Sequence, residues 1–122
     1  VIRFPLGRST KDRLKWTVDP RNGRTAVTHY QVLEYLPAFS WVSCRLETGR
    51  THQIRVHMAY IGHPVVQDPL YGWKKDHFPI SGQALHSSTL DLIHPVTGQQ
   101  MHFEAPIPDD MTVCLEMART MK

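Results

Sequence analysis

The feature that most constrains this chain is a strand-to-helix junction near its middle. Residues 45–58 read RLETGRTHQIRVHM, in which a short alternating run stops at a glycine and a helical pattern follows. Three arginines and two histidines fall within this stretch. Such a junction offers backbone N–H groups, and fixed guanidinium groups beside them suit an anionic partner or a buried carboxylate. The segment therefore predicts an anion site and not packing alone.

Length and composition restrict the class of protein. The chain has 122 residues, of which 41% are hydrophobic and 20% charged, and this fits one globular domain with a modest core. A net charge of +3 fits a nucleic acid partner without requiring one. Cys44 and Cys114 stand in apolar contexts without metal-ligand spacing, which indicates buried thiols in a reducing compartment. No apolar run approaches the roughly 20 residues of a membrane span, and no signal-peptide pattern occurs at Val1. We therefore expect a cytoplasmic protein with no membrane partner, with an organelle as the alternative location.

The first third of the chain divides into a turn-rich segment and a hairpin. Residues 1–24 are basic and contain proline and glycine, and we expect a surface loop with one short strand over 14–18. Residues 25–36 are rich in valine, threonine and tyrosine, which predicts a strand. Residues 41–47 alternate between apolar and polar side chains, which predicts the hairpin partner of that strand.

The rest of the chain predicts two helices and two more strands. Thr51 is the expected N-cap of the first helix, and Gly62 is its expected stop. Residues 84–94 and 100–105 predict strands, and Asp109 begins the second helix. The first helix has its apolar stripe at Ile54, Met58 and Ile61. The second has its inward face at Met111, Cys114, Leu115, Ala118 and Met121. This order predicts an α+β fold, with a largely antiparallel mixed sheet and two main helices.

Arg55 carries the sharpest chemical expectation. On the predicted helix it lies beside the apolar stripe and next to the small residue Ala59. A guanidinium group placed there loses part of its water and needs a carboxylate or a phosphate. The alternative is that Arg50 and Arg55 are simply two solvated arginines at the helix surface.

Other chemistries have weaker signals. His52 and His57 are five residues apart, whereas a helical zinc pair is four apart, and no Cys-x-x-Cys or His-Glu-x-x-His string occurs, so we expect no metal. The composition allows a Ser-His-Asp set, but no Gly-x-Ser-x-Gly elbow is present. Gly49 is a lone glycine before a helix, which is a weak phosphate-binding signal.

The loop after the first helix contains aromatic and basic residues. Tyr71 and Trp73, followed by Lys74 and Lys75, form a candidate surface for stacking on an RNA strand and binding its phosphates. The alternative is a loop that its own aromatic side chains hold in place.

Several strings together resemble one known family. LETGRTHQIRVHM at 46–58 is followed by GHP at 62–64, DPLYG at 68–72, ALH at 84–86, HP at 94–95 and FEAPIP at 103–108, and AVTHYQVL at 26–33 precedes it. This ordered series, from about residue 25 to the C-terminus, resembles the RluA-type pseudouridine synthases. It is most similar to the branch that acts on large-subunit ribosomal RNA.

The resemblance implies an isomerase that converts uridine in RNA to its C-glycoside isomer without metal or organic cofactor. Such an enzyme flips its target nucleotide into a pocket, where one essential aspartate attacks the sugar or assists cleavage of the glycosidic bond. By position, Arg55 resembles the arginine that pairs with that aspartate. Leu85 resembles the apolar residue at the pocket. Arg50 and His52 share the motif and are expected to contact RNA or to brace the junction.

The chain also departs from the family pattern. It lacks the His-Arg-Leu-Asp string that carries the aspartate and the Tyr-x-Ala string whose tyrosine stacks on the target base. Asp68 matches a different family position and is not assigned the catalytic role. We therefore expect residues 25–122 to be the C-terminal half of a catalytic domain, with 1–24 as a connecting segment. Its expected partners are the missing N-terminal half and ribosomal RNA, with transfer RNA as the alternative.

Two functions of different classes follow from this pattern. In the first, the chain is part of an RNA-modifying enzyme and is inactive without its missing half, because Arg55 lacks its carboxylate. In the second, it is a non-catalytic RNA-binding or assembly module that retains the fold. The presence of Arg55 favours the enzyme, since an RNA-binding remnant does not need the partner of a catalytic aspartate.

Overall fold

The computed structural model shows short strands and two helices. It describes residues 1–12, 14–72, 78, 82–87, 89–93, 100–104 and 106–120, with backbone alone over 89–93 and 100–104. The elements are β1 (Leu6–Arg8), β2 (Trp16–Val18), β3 (Thr28–Tyr35), β4 (Ser40–Leu46), α1 (Gln53–Tyr60), β5 (Thr89–Ile93), β6 (Gln100–Glu104) and α2 (Asp109–Thr120). The predicted α+β class is confirmed.

Strand pairing is antiparallel throughout the described residues. β1 pairs with β2, β3 with β4 and β5 with β6, each as a separate two-stranded sheet. The predicted hairpin of β3 and β4 is confirmed, with Thr28 opposite Leu46 and a register shift between Val32 and Glu34. The described strands therefore form three antiparallel pairs, whereas the sequence predicted one larger sheet.

The basic N-terminal segment packs into the fold. Ile2 is 3% exposed and Leu6 is 1% exposed, and Leu6 forms an apolar cluster with Ala26 and Val56. The expected surface loop is wrong at these positions, because single apolar residues among turn and basic residues produce no period that a sequence pattern can detect. The expected short strand is found as β2. The domain boundary after residue 24 stays a prediction.

Helix α1 starts differently from the prediction and stops as predicted. Its N-cap is His52, in the left-handed region at φ 55°, and the His52 side chain makes no capping hydrogen bond. The expected N-cap Thr51 is wrong because Gln53 closes this turn, with its Oε1 accepting the Arg50 N–H at 3.0 Å. At the other end Gly62 adopts φ 91°. The N–H groups of Gly62 and of the next residue return to carbonyls of the last turn, a Schellman closure.

The buried face of α1 combines apolar and polar side chains. Val56 and Met58 are buried as part of the core, and Gln53 and His57 are buried with them. Met58 alone of the predicted stripe belongs to this face, since the two isoleucines are only half-buried. The polar pair is tolerated because hydrogen bonds within the fold satisfy both side chains.

A second apolar cluster lies beneath α2. Cys114 and Ala118 are buried there together with Phe78, which confirms the predicted inward face at those two positions. Val66 packs against the same cluster, so this cluster also supports the loop that follows α1. Met121 lies outside the described residues. No helix in the described part of the chain is long and apolar enough to cross a membrane.

Candidate active site

A buried ion pair between Arg55 and Asp68 is the centre of this site. The Arg55 Nε–H donates to Oδ2 of Asp68 at 2.8 Å, and an Nη2–H donates to Oδ1 at 2.7 Å. The Arg55 side chain is 11% exposed and the Asp68 side chain 0%. Two-bond pairs of this kind are among the strong polar interactions of proteins. Arg55 thus has a carboxylate partner inside this chain, whereas the sequence pattern pointed to one outside it.

Asp68 also accepts hydrogen bonds from its own loop. The N–H groups of Leu70 and Tyr71 donate to Oδ1 at 3.0 and 3.2 Å. Burial by itself raises the pKa of the Asp68 carboxyl, but the hydrogen bonds from Arg55 and from these two amides outweigh burial and hold the pKa below its ordinary value. The hydrogen bond to Asp68 in turn raises the pKa of Arg55. Both groups are therefore charged at neutral pH.

The loop over residues 65–72, called the aspartate loop below, wraps around Asp68. The Asp68 N–H donates to the Val65 carbonyl at 3.1 Å, and the Gly72 N–H donates to the Asp68 carbonyl at 3.0 Å. Gln67 turns the chain with φ 57°. A Cβ on Gly72 would lie 2.7 Å from the Asp68 carbonyl oxygen. The chain can pass so close to Asp68 only because residue 72 has no side chain.

Tyr71 packs on the guanidinium group and links the loop to two other elements. The Arg55 Cζ lies 5.2 Å from the centroid of the Tyr71 ring, a cation–π distance. The Tyr71 hydroxyl accepts the Trp16 N–H at 2.8 Å and lies 2.8 Å from Nδ1 of His52. Burial raises the pKa of Tyr71, so the phenol is neutral at pH 7, and a neutral hydroxyl can either donate to or accept from Nδ1 of His52.

His52 is neutral at the start of α1. Desolvation and the nearby charge of Arg55 lower its pKa. Its ring meets the Tyr71 ring edge to face, with centroids 5.6 Å apart and planes at 76°. The neutral ring has one donor and one acceptor nitrogen, and Nδ1 is the nitrogen that faces the Tyr71 hydroxyl. The second ring nitrogen of His52, Nε2, takes no part in this contact with Tyr71.

Buried hydrogen bonds fix the orientation of α1. The His57 Nε2–H donates to the Phe4 carbonyl at 2.8 Å, and its Nδ1 accepts the Thr28 hydroxyl at 2.8 Å. Desolvation lowers the pKa of this fully buried ring, which keeps it neutral. Gln53 donates to the Val27 carbonyl and to Oγ1 of Thr28, both at 3.0 Å. These bonds fix the rotation of α1 about its axis and so the direction in which the Arg55 side chain leaves it.

The sequence and the fold both match known proteins. Residues 2–60 match the family model described as RNA pseudouridylate synthase. The chain is 53% identical over 119 residues to the uncharacterized RNA pseudouridine synthase YlyB of Bacillus subtilis, covering 98% of this chain and 39% of that protein. This chain belongs to the RNA pseudouridylate synthase family.

The chain is also similar in sequence or in fold to further members of the pseudouridylate synthase family. The chain is 43% identical to ribosomal large subunit pseudouridine synthase D of Escherichia coli K12, covering 98% of this chain and 40% of that protein. The solved structure of human RNA pseudouridylate synthase domain containing 1 superposes with a TM-score of 0.70 at 25% identity, covering 98% of this chain and 59% of the human one. The chain spans about two fifths of the length of these curated relatives.

Arg50 and Leu85, two other predicted site residues of this pseudouridylate synthase chain, lie in segments tied to other parts of the fold by hydrogen bonds. The Arg50 Nε–H donates to the Thr25 carbonyl at 2.8 Å, which ties the junction to the segment before β3. Leu85 is 40% exposed, and its segment joins the aspartate loop through a 2.9 Å hydrogen bond from the Ala84 N–H to the Val66 carbonyl. Three predicted RNA contacts lie outside the described residues: Trp73, Lys74 and Lys75.

Asp68 is the site residue that the sequence pattern did not assign. Its string, Asp-Pro-Leu-Tyr-Gly, matched the pseudouridylate synthase family at a position other than that of the catalytic aspartate. The usable signal was the partly desolvated Arg55, which requires a nearby anion, together with an aspartate followed by turn residues shortly after the helix. In the part of the chain that the structure describes, no three histidine, cysteine, aspartate or glutamate side chains cluster as a metal site.

Proposed function

We propose that this chain carries the arginine half of an RNA pseudouridine synthase active site, and that a segment outside this sequence supplies the catalytic aspartate. The reaction is the isomerisation of uridine to pseudouridine in RNA. One observation carries the proposal: in a motif of the family, Asp68 occupies only one edge of the Arg55 guanidinium group. Family membership supports the reaction class.

Asp68 uses only some of the hydrogen-bond donors of Arg55. A guanidinium group has five N–H donors in one plane, and Asp68 takes the edge formed by Nε and Nη2. The opposite edge, formed by Nη1 and the second Nη2 hydrogen, has no hydrogen-bond partner among the described residues. An arginine can bridge two carboxylates in this way, and a catalytic aspartate at the second edge is held ionised.

The β3–β4 hairpin supplies a surface on which the aspartate-bearing segment can pack. The register places Tyr30 and Leu46 on one face of the hairpin, and each is 42% exposed. Leu33 and Tyr35 are 54% and 82% exposed on the same strand as Tyr30. Grouped exposed apolar side chains are typical of interaction surfaces. This hairpin therefore supports a partner segment as the missing component.

The proposed substrate is RNA, with large-subunit ribosomal RNA as the preferred class and transfer RNA as the alternative. The names of several relatives include the ribosomal large subunit. Arg50 uses its Nε–H inside the fold, and its Nη groups are the proposed phosphate contacts. His52 offers its Nε2 atom, Tyr71 its ring face away from Arg55, and Leu85 its exposed side chain at the pocket.

A tritium-release assay tests the proposed function. The substrate is ribosomal RNA with tritium at C5 of uridine, because tritium leaves when the new carbon–carbon glycosidic bond forms at C5. We expect no release by this chain alone and sustained release when the aspartate-bearing half of a synthase domain is added in trans. Arg55→Ala should abolish release by the mixture, because the aspartate then loses its cationic partner.

Arg119→Ala is the matched control for that assay. Arg119 also makes a two-bond pair with a carboxylate, that of Glu34, but on α2 and at the surface. Its loss should leave the turnover of the mixture unchanged. Turnover by the 122-residue chain alone, or an Arg55→Ala mixture as active as wild type, contradicts the proposal.

The second candidate function is the non-catalytic RNA-binding module, and the Asp68 contact favours it. Because Asp68 already pairs with Arg55, the presence of Arg55 no longer requires a catalytic aspartate elsewhere. This candidate predicts RNA binding that weakens steeply with salt, as phosphate contacts do, and no turnover with any added segment. The same mixture therefore separates the two functions.

A further inference from the structure

Asp68 makes more hydrogen bonds than pairing with the charge of Arg55 alone requires. Its fully buried carboxylate accepts four hydrogen bonds, two from Arg55 and one each from the backbone of Leu70 and Tyr71. The backbone on either side is closed by hydrogen bonds at Val65 and Gly72. The loop therefore holds Oδ1 of the carboxylate through two amides, independently of Arg55.

The guanidinium group is restrained from several directions at once. Asp68 holds one edge through Nε and Nη2, and Tyr71 covers one face at 5.2 Å. Tyr71 is itself held by hydrogen bonds of its hydroxyl to Trp16 and His52. A carboxylate that grips both Nε and Nη2 prevents rotation about the last bonds of the side chain. The direction of the second edge is thereby determined.

We propose that Asp68 is a positioning residue for the reaction, which aims the second edge of the Arg55 guanidinium group at the catalytic aspartate. This inference rests on the proposed function and adds to it the residue that orients the arginine. Asp68 does not touch RNA or the reacting atoms. It acts through Arg55, in the way that a carboxylate behind a functional side chain fixes the orientation of that side chain.

A purely structural clamp makes a different prediction. A clamp between the aspartate loop and α1 needs attraction between charges, and its loss lowers the melting temperature of the chain. A positioning residue must also hold the guanidinium group in the correct orientation. Its replacement therefore lowers kcat even where the protein is fully folded. Asp68→Asn separates these roles, because the asparagine Oδ1 still accepts the Leu70 and Tyr71 N–H groups while its NH2 group faces the Arg55 Nε–H as a second donor.

The experiment measures tritium release by the mixture of this chain with the aspartate-bearing half, well below the melting temperature of each variant. We expect Asp68→Asn to lower kcat about 100-fold, the size of effect that a misplacement of about 1 Å produces, with KM little changed. Glu34→Gln, at the exposed Arg119 pair, is the matched control and should leave kcat unchanged. If Asp68→Asn does not fold, Asp68→Glu keeps the charge but moves the carboxylate, and carries the same expectation.

Chemical rescue distinguishes the two roles, because a purely structural role for Asp68 predicts no effect of Asp68 on rescue. Added guanidinium ion should restore part of the kcat of Arg55→Ala, because Asp68 still binds and orients the free cation. It should not restore kcat in Arg55→Ala/Asp68→Asn. An active wild-type mixture in which Asp68→Asn and Asp68→Glu retain wild-type kcat, or rescue that does not depend on Asp68, overturns this inference alone. A wild-type mixture without turnover overturns the proposed function, and this inference with it.

Discussion

Two arginine–carboxylate pairs in this chain share their geometry and differ in their surroundings. Arg55 contacts Asp68 through Nε and Nη2 at 2.8 and 2.7 Å, and Arg119 contacts Glu34 through the same atoms at 2.9 and 2.8 Å. The side chains of the first pair are 11% and 0% exposed, and those of the second are 48% and 37% exposed. Hydrogen-bond geometry therefore does not distinguish a site from a surface contact, whereas burial does.

The physical difference lies in the solvent. Water solvates Arg119 and Glu34 whether or not they pair, so the pair gains little from contact. Asp68 is cut off from water, so removing Arg55 leaves a buried charge for which the described residues supply two amide donors. The hydrogen bond from Arg119 does lower the pKa of Glu34, but solvent screens its contribution to stability. Loss of the buried pair should therefore destabilise the folded chain more than loss of the exposed pair.

The largest expected effect comes from removing each arginine in turn. Arg55→Ala should lower the free energy of unfolding by about 3 kcal/mol, because it strands the Asp68 carboxylate in the interior. Arg119→Ala should change it very little. Urea unfolding monitored by circular dichroism measures both. Equal losses for the two variants would break the comparison and show that burial is not what separates the pairs.

The next effect concerns the loop that fixes Asp68. Gly72→Ala places a Cβ 2.7 Å from the Asp68 carbonyl oxygen, and the loop must move to relieve it, at a cost of about 1–3 kcal/mol. Gly49→Ala is the matched control, since nothing lies within 4 Å of its Cβ position. Thermal melting of both variants measures the difference. A Gly72→Ala chain as stable as Gly49→Ala would show that the loop is not built closely around Asp68.

Acid titration compares the two carboxylates. The folded state lowers the pKa of Asp68, so its stabilisation is complete above its ordinary pKa of about 3.9 and is lost as pH falls through the folded value. Urea unfolding below pH 4 should therefore show an acid-sensitive component that Asp68→Asn removes and Glu34→Gln barely alters.

His57 provides an internal reference for that titration. Its lowered pKa means that the unfolded chain binds a proton first, so stability starts to fall as pH drops below about 6.5. His57→Gln should flatten this earlier phase and leave the Asp68 phase in place. An acid component that both Asp68→Asn and His57→Gln remove equally would mean that the two groups titrate as one unit.

The smallest expected effect is the response to salt. Raising ionic strength to about 1 M shortens the screening length to about 3 Å, which should abolish the coupling between Arg119 and Glu34. The coupling between Arg55 and Asp68 should persist, because salt does not enter the buried site. Double-mutant cycles of each pair at low and high salt measure the two couplings. Equal salt sensitivity would indicate that the Arg55 pair is open to solvent.

The sequence predicted local structure well where the signal was local. Alternation of apolar and polar residues predicted the β3–β4 hairpin, and a glycine predicted the stop of α1 at Gly62. Helical spacing predicted the inward positions Cys114 and Ala118. The N-cap was missed because Gln53 satisfies the turn that Thr51 was expected to cap. The buried His57 was missed as part of the core because its two partners, Phe4 and Thr28, are distant in sequence.

Sequence alone determined the α+β class, the family and the choice of Arg55 as the residue that needs an anion, because these depend on residue types at short, fixed spacings. Only the tertiary structure decided which anion this chain itself provides. The Arg55–Asp68 contact spans a loop whose path depends on the left-handed Gln67, on Gly72 and on the bond from Tyr71 to Trp16, which is 55 residues away along the chain. Such contacts follow from the packing of several elements at once, and no local pattern encodes them.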